Sequence, residues 1–174
     1  MAERLALVGM MGAGKSTVGA LTAERLGWRF VDLDEEVCAR SGSSVAELFA
    51  SRGEREFRGL EAACLADVLA GGDDIVVAVG GGAVLDPGNR RLLRHHATVA
   101  WLRARPPTLA TRVDDDEARP LLQGGDGPEA VLSTLDAERR RLYEEVADLV
   151  VDVDDLSPAQ VVDRLCAALA QAAS

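Results

Sequence analysis

Residues 9–16 read GMMGAGKS, and this stretch decides the fold. It fits the spacing G-x-x-x-x-G-K-[ST], in which glycines let successive backbone N–H groups turn inward around a phosphate. Residues 5–8 predict a buried strand before it, and residues 16–26 predict a helix after it. Because a helix adds its positive N-terminal end to such a loop, the pattern predicts a nucleotide-phosphate site. A glycine-rich turn without a ligand is the less favoured alternative.

Lys15 is the single lysine among 19 basic residues, so every other basic position carries arginine. A lysine side chain carries a compact ammonium on a flexible stem and acts as a point charge on phosphates. Ser16 follows it directly and offers a hydroxyl for magnesium. Together the two side chains predict a site for a magnesium–nucleotide.

Length, charge and cysteine usage limit the classes of protein. The 174 residues suffice for one domain with a core, and the net charge of −10 argues against nucleic-acid binding, which needs a basic face. The sequence contains no run of about 18 apolar residues, so no membrane span is expected. Three cysteines without a C-x-x-C pair are expected to be reduced thiols. We therefore expect a cytoplasmic protein, and we expect it to be a monomer.

Strand-like and helix-like stretches alternate along the chain, which predicts βαβ units. Right-handed crossovers then give a three-layer α/β/α fold with a central five-stranded parallel sheet. The strands are predicted at residues 5–8, 29–33, 75–79, 98–102 and 149–153. The helices are predicted at 16–26, within 38–69 with breaks at 41–42 and near 53, and at 87–94, 107–112, 129–146 and 157–172. Residues 113–128 lack periodicity and predict a mobile loop.

Two acidic residues, Asp32 and Asp34, end the second predicted strand. Alternation along a strand puts them on the same side, so both carboxylates can project towards the phosphate loop. The apolar strand at 75–79 ends in glycines without an acid, which leaves Asp32 as the candidate for the metal side. The alternative is two solvated acids with one of them capping a helix.

The other candidate binding residues each have an ordinary explanation as well. Glycines 80–82 leave bare backbone for a ligand to approach, but a strand-to-helix turn also uses glycine. Arg58 and Arg139 lie in helical stretches where charges usually form a solvated face. Arg119 lies in the predicted loop, where it could reach a transferring phosphoryl group or pair with the acids at 114–117.

Taken in order, these motifs resemble the shikimate kinase family, P-loop small-molecule kinases related in fold to the nucleoside monophosphate kinases. The resemblance runs from the first strand to the last helix and implies a single P-loop kinase domain over residues 1–174. It also implies a lid loop at about 113–128 and an acceptor-binding helical segment at about 34–61. The matching motifs are residues 9–17, Asp32-x-Asp34, Phe57-Arg58, glycines 80–82, Arg119-Pro120-Leu121-Leu122, and Glu138-Arg139 before Leu142-Tyr143.

The resemblance implies ATP as phosphate donor, Mg²⁺ as metal and shikimate as acceptor. On the donor side, the residues implied to hold the ATP phosphates are Gly12, Ala13, Gly14, Lys15, Ser16 and Thr17. Ser16 and Asp32 would hold magnesium. Arg112 matches the arginine that stacks on adenine, and Arg119 would close over the phosphates.

On the acceptor side, the resemblance implies that Asp34 accepts hydrogen bonds from the ring hydroxyls and is the candidate base for the 3-hydroxyl. Arg58 and Arg139 would clamp the carboxylate, with Glu61 orienting Arg58. Gly80 and Gly81 would supply backbone contacts. The implied catalytic groups are thus Lys15, Asp34 and Arg119.

Two other functions are compatible with the same motifs. One is a P-loop kinase for a different small acceptor, such as gluconate or a nucleoside monophosphate. The other is a P-loop switch that hydrolyses ATP slowly and signals to a partner.

Overall fold

The five predicted strands form one parallel sheet in the order β2-β3-β1-β4-β5. The structure is a computed structural model, which describes residues 3–113 and 126–172. The predicted five-stranded parallel sheet is confirmed by the pairing of every neighbouring strand. The strands are β1 Arg4–Val8, β2 Arg29–Asp32, β3 Ile75–Ala78, β4 Thr98–Arg103 and β5 Leu149–Asp152.

Helices cover both faces of the sheet, which confirms the three-layer architecture. They are α1 Lys15–Leu26, α2 Leu33–Ser41, α3 Val45–Ala70, α4 Pro87–His96, α5 Pro106–Val113, α6 Pro128–Val146 and α7 Pro158–Ala172, with a short 3₁₀ turn at Ala83–Leu85. Both predicted breaks within 38–69 are present. Helix α2 ends before Gly42, which has the left-handed φ of 70°, and Gly53 interrupts α3 with φ 81° and ψ 168°.

Local hydrogen bonds explain where several helices begin. Asp86 accepts from the backbone N–H groups of Gly88 and Asn89 at 2.5 and 3.1 Å, and Pro87 is the first helical residue, as predicted. Helix α7 begins with a reciprocal pair: Gln160 N–H donates to Ser157 Oγ at 3.3 Å, and Ser157 N–H donates to Gln160 Oε1 at 2.8 Å. The side chain of Ser157 therefore caps the start of α7.

One boundary differs from the prediction in a way that matters for the site. The second strand was expected to continue through residue 33, but β2 ends at Asp32 and Leu33 already belongs to α2. The cause is Asp32 itself, whose side chain accepts from the N–H groups of Asp34 and Glu35 and so starts the helix. Strand alternation therefore does not govern where Asp34 points.

The core consists mainly of alanine, valine and leucine, as the low aromatic content predicts. Residues 5–8 and 76–79 are almost fully buried, as expected for central strands covered on both faces. Trp101 and Tyr143 are the two largest fully buried side chains, and their ring centroids lie 5.6 Å apart. Within 3–113 and 126–172, no helix is long and apolar enough to cross a membrane.

Candidate active site

The loop between β1 and α1 has the backbone that its glycines predict. Gly12 and Gly14 adopt left-handed φ values of 80° and 92°, which L side chains rarely reach, and Gly14 is the N-cap of α1. Gly12 is also tightly packed, because a Cβ there would lie 2.8 Å from Val113 Cγ1. The loop therefore has left-handed turns at both glycines and packs against the end of α5.

The Lys15 ammonium lies within this loop. Its Nζ donates to the carbonyl oxygens of Gly9 and Met10, at 2.8 Å each. These two backbone carbonyls hold the ammonium in place within the loop. An anion bound in the loop would meet this charge together with the backbone amides and the N-terminus of α1.

A cavity of about 310 Å³ opens at the carboxyl ends of β1, β2 and β3. This is the position where open parallel sheets bind ligands. Its wall contains predicted donor-side residues, both aspartates and part of the glycine loop: Gly12, Gly14, Lys15, Ser16, Thr17, Asp32, Asp34, Ala78, Val79, Gly80, Gly81, Arg112 and Val113. Ala13, the remaining predicted phosphate-loop residue, is buried in the core.

Asp32 connects this cavity to two secondary-structure elements. One carboxylate oxygen accepts a hydrogen bond from the Ser16 hydroxyl, and the other caps α2 through the N–H groups of Asp34, at 3.0 Å, and Glu35, at 3.3 Å. The two interpretations of Asp32, helix cap and metal-side acid, are thus compatible. Asp34 lies in the first turn of α2, and this placement, rather than strand alternation, brings it to the cavity.

The Ser16 hydroxyl and the Asp32 carboxylate suit Mg²⁺ better than they suit a metal ion whose ligands all come from the protein. No group of three or more His, Cys, Asp or Glu residues that could hold a metal occurs in the described part of the chain. Mg²⁺ usually keeps several waters and takes one or two carboxylates together with substrate phosphates. A hydroxyl and a carboxylate beside a phosphate loop match that pattern.

Arg58 and Glu61 form an ion pair on one face of α3. Arg58 Nη1 donates to Glu61 Oε2 at 2.8 Å, and a second nitrogen, Nη2, lies 3.4 Å from Glu54 Oε1. Glu61 is fully buried, and this burial raises its pKa, an effect that the Arg58 charge opposes. The Arg58 side chain is only 20% exposed, so it is not part of a solvated face.

The three glycines at 80–82 make room for charged side chains. A Cβ at Gly80 would overlap Glu61 Oε1 and lie 3.1 Å from Asp34 Oδ1. A Cβ at Gly82 would overlap the guanidinium of Arg58. None of the three has a left-handed φ, so close approach rather than backbone conformation requires glycine here.

Arg139 is the one residue of the arginine run 139–141 that is buried, at 2% exposure. Its Nη1 would lie 3.4 Å from a Cβ at Gly81. Arg140 instead pairs with Asp136, and Arg141 is exposed. Within the described residues, the buried Nε atoms of Arg58 and Arg139 have no hydrogen-bond partner. A buried guanidinium (Arg139) and a half-buried one (Arg58), each with an unused Nε donor and both against one loop, are suited to an anionic ligand.

The remaining predicted residues are Arg112 and Arg119. Arg112 Nη1 donates to the Gly12 carbonyl and Nη2 to the Val153 carbonyl, both at 3.3 Å, so this side chain flanks the phosphate loop. Arg119 and residues 114–125 lie outside the described residues.

Sequence reasoning assigned no role to Tyr143, although the structure connects it to the site. Its hydroxyl donates to the Gly81 carbonyl at 2.6 Å. Two signals in the sequence point to it. Tyr143 is the single tyrosine of the chain, and it lies four residues after Arg139, on the same helix face.

Known proteins resemble this chain over nearly its whole length. A relative named shikimate kinase from Halorhodospira halophila is 47% identical over 167 residues, covering 96% of this chain and 93% of the relative. One from Chromobacterium violaceum is 46% identical over 165 residues, covering 95% and 89%.

Solved structures agree with the observed fold. Shikimate kinase from Acinetobacter baumannii in complex with shikimate has a TM-score of 0.94 and 32% identity, covering 98% of this chain and 94% of that one. A gluconokinase from Sinorhizobium meliloti, at 22% identity and a TM-score of 0.63, shares the fold alone. The family model described as shikimate kinase matches residues 11–170. This chain therefore belongs to the shikimate kinase family.

Proposed function

We propose that this protein transfers the γ-phosphate of ATP to the 3-hydroxyl of shikimate, giving shikimate 3-phosphate and ADP. The observation that carries this proposal is one cavity with two kinds of wall. The phosphate loop forms one wall, and Gly80 and Gly81 form the other. The buried Arg139 lies against Gly81, and the half-buried Arg58 lies against Gly82, the next residue of the same loop. Family membership and the shikimate complex of the Acinetobacter relative support the same acceptor.

The donor side of the cavity supplies positive charge around the transferring phosphoryl group. In the proposed reaction, the 3-hydroxyl oxygen bonds to the γ-phosphorus while the bond from that phosphorus to the β–γ bridging oxygen breaks. Residues 12–17 hold the phosphates with backbone amides, and Lys15 places its ammonium on them. Ser16 and Asp32 would hold Mg²⁺, which when bound neutralises charge on the phosphate oxygens.

Orientation of the acceptor comes from the opposite wall. Asp34 lines the cavity and is proposed to accept hydrogen bonds from the ring hydroxyls and the proton of the 3-hydroxyl. Arg58 and Arg139 are proposed to bind the carboxylate, since a guanidinium fork matches it bidentately. Gly80 and Gly81 add backbone contacts. Positioning of this kind is most of what phosphoryl transfer requires from a protein.

Two arginines complete the proposed donor site. Arg112 already contacts the phosphate loop through the Gly12 carbonyl, and we propose that it stacks on adenine. Arg119, outside the described residues, is proposed to contact the transferring phosphoryl group within a lid at about 113–128. We also propose one kinase domain with residues 34–61 as its acceptor-binding segment.

Location and assembly belong to the same proposal. All three cysteines are free thiols, which supports a cytoplasmic protein. The net charge of −10 supports a protein that binds no nucleic acid. We propose that it acts as a monomer, which sedimentation analysis would test directly.

A panel of acceptors tests the proposed reaction. ADP release should be measured with shikimate, gluconate and AMP, and also without any acceptor. Shikimate should give by far the highest kcat/KM, because its carboxylate and ring hydroxyls match the two arginines and Asp34. Preference for gluconate or AMP would contradict the proposed acceptor, and turnover that is independent of acceptor would instead support an ATP-hydrolysing switch.

A further inference from the structure

Tyr143 lies in α6 beneath the acceptor wall and is fully buried. Its hydroxyl donates to the Gly81 carbonyl at 2.6 Å and lies 3.6 Å from Met10 Sδ in the phosphate loop. Its ring packs on Trp101 of β4, with ring planes inclined by 31°. One side chain therefore contacts the acceptor loop, the phosphate loop and the central sheet.

Arg139 lies one helical turn before Tyr143 and approaches the same glycine. Its Nη1 would be 3.4 Å from a Cβ at Gly81, and the guanidinium lowers the Tyr143 pKa against the larger effect of burial. The Gly81 peptide is thus enclosed by the Tyr143 hydroxyl and the Arg139 guanidinium. Gly81 also approaches the phosphate-loop backbone, since the same Cβ would lie 3.4 Å from the Gly9 carbonyl oxygen, and it lines the cavity.

A peptide between two glycines needs such an anchor. Glycine has more backbone freedom than any other residue, and three consecutive glycines could rotate their peptide planes at little steric cost. Because a peptide unit is planar, holding the Gly81 carbonyl also fixes the direction of the Gly82 N–H. The hydroxyl of Tyr143 is the hydrogen-bond donor that the structure gives to this carbonyl.

We propose that Tyr143 is a positioning residue for the acceptor: its hydroxyl orients the Gly81 peptide and, with it, the Arg139 guanidinium. The side chain has no exposed surface, so it acts through these two groups and does not touch the ligand. This inference rests on the proposed function, since it takes the glycine loop and Arg139 as acceptor-binding groups.

Tyr143→Phe removes the hydroxyl and keeps the ring that packs on Trp101. Loss of a buried hydrogen bond that leaves its acceptor unpaired should raise the KM for shikimate about tenfold. The KM for ATP should change by less than about twofold, and kcat should change little, as expected for an acceptor-binding effect. Val146→Ala is the matched control, because Val146 is buried on the same helix and does not line the cavity. It should lower stability and leave both KM values unchanged.

Two results would overturn the proposal. One is a Tyr143→Phe protein with lower stability but a wild-type KM for shikimate. The other is an equal rise in both KM values. If Tyr143→Phe does not fold, the wild-type protein with tyrosine ¹³C-labelled only at Cζ still decides the question, because its single tyrosine then gives one resonance. Saturating shikimate should shift that resonance, and an unchanged position would also overturn the proposal. If the wild-type protein phosphorylates a different acceptor, the proposed function fails on its own, and the KM test applies to that acceptor.

Discussion

The carboxylate of Asp32 accepts a hydrogen bond from the Ser16 hydroxyl, so the end of β2 and the first turn of α1 are joined beside the phosphate loop. The second oxygen of the same carboxylate caps α2. Asp32 is therefore held from two sides before any ligand binds. A metal-side acid with this support keeps its place without an entropic cost at the moment of binding.

We expect Asp32→Ala to affect stability and metal use together. Loss of the cap should lower the free energy of unfolding by about 1 kcal/mol. The Mg²⁺ concentration for half-maximal kinase rate should rise about tenfold, since one carboxylate contact is lost. Asp86→Ala is the matched control, because Asp86 caps α4 through the same pattern and does not line the cavity. Asp86→Ala should lose a similar free energy of unfolding and keep the same Mg²⁺ concentration for half-maximal rate. A higher Mg²⁺ requirement in Asp86→Ala would refute the metal role of Asp32.

Gly82→Ala should impair acceptor binding with little effect on folding. Gly82 has φ −94° and ψ −2°, which alanine adopts readily, but its Cβ would lie 2.7 Å from Arg58 Nη1 and closer still to Nη2 and Cζ. The flexible arginine should move aside, and a displaced clamp should raise the KM for shikimate about tenfold or more. Gly59→Ala, where nothing lies within 4 Å of the new Cβ, should leave that KM unchanged. Thermal unfolding and steady-state kinetics check both variants.

Arg58→Ala should separate acceptor affinity from nucleotide affinity. Hydrogen bonds to charged groups contribute about 1.5–3 kcal/mol, so the KM for shikimate should rise about 10- to 100-fold. The variant should also be less stable, because Glu61 would remain buried without its partner. Arg52→Ala removes an exposed ion pair with Glu56 on the same helix and should change neither property by much. Calorimetric titration with nucleotide and with shikimate measures both affinities; equal losses would show that Arg58 is structural.

Tyr143 should make the protein less stable at high pH. Burial raises its pKa from 10.0 to about 12, so the folded state holds the proton more tightly than the unfolded chain does. This contribution to the free energy of unfolding is fully present below about pH 10 and is lost as the pH rises to about 12. The total loss should be about 2–3 kcal/mol. The free energy of unfolding should be measured by urea denaturation at about pH 9 and about pH 11.5. Its decrease between these two pH values should be smaller for Tyr143→Phe than for the wild-type protein. Identical differences would mean that the tyrosine does not titrate with folding.

Local patterns in the sequence were sufficient for the phosphate loop and for most helix boundaries. The G-x-x-x-x-G-K-S spacing and the caps at Asp86 and Ser157 each act over a few residues, so the chain carries the whole signal. Asp34 was expected at the cavity because of strand alternation, and that reason was wrong. The cap at Asp32 ends β2 one residue early, so Asp34 lies in the first turn of α2.

Contacts between distant segments could not be predicted in the same way. The spacing of charges in 54–61 does not reveal which arginine faces inward, because that depends on how α3 lies against glycines 80–82. The sequence likewise gives no sign that Gly80 and Gly82 make space for Glu61 and Arg58 rather than for a ligand alone. The hydrogen bond from Tyr143 to Gly81 spans 62 positions and depends on the packing of α6.

The pairing of β1 with β3 has a consequence for the geometry of transfer. Leu7 lies opposite Ala78, so the phosphate loop and the glycine loop at 80–82, which we propose bind donor and acceptor, leave adjacent strands at the same level. Adjacent strands are about 4.8 Å apart, and main-chain hydrogen bonds set that separation. The spacing between the two loops is therefore set by the sheet and not by their side chains. Under the proposed assignment, inserting one residue near the end of β1 or β3 would misalign donor and acceptor even with every proposed binding group intact.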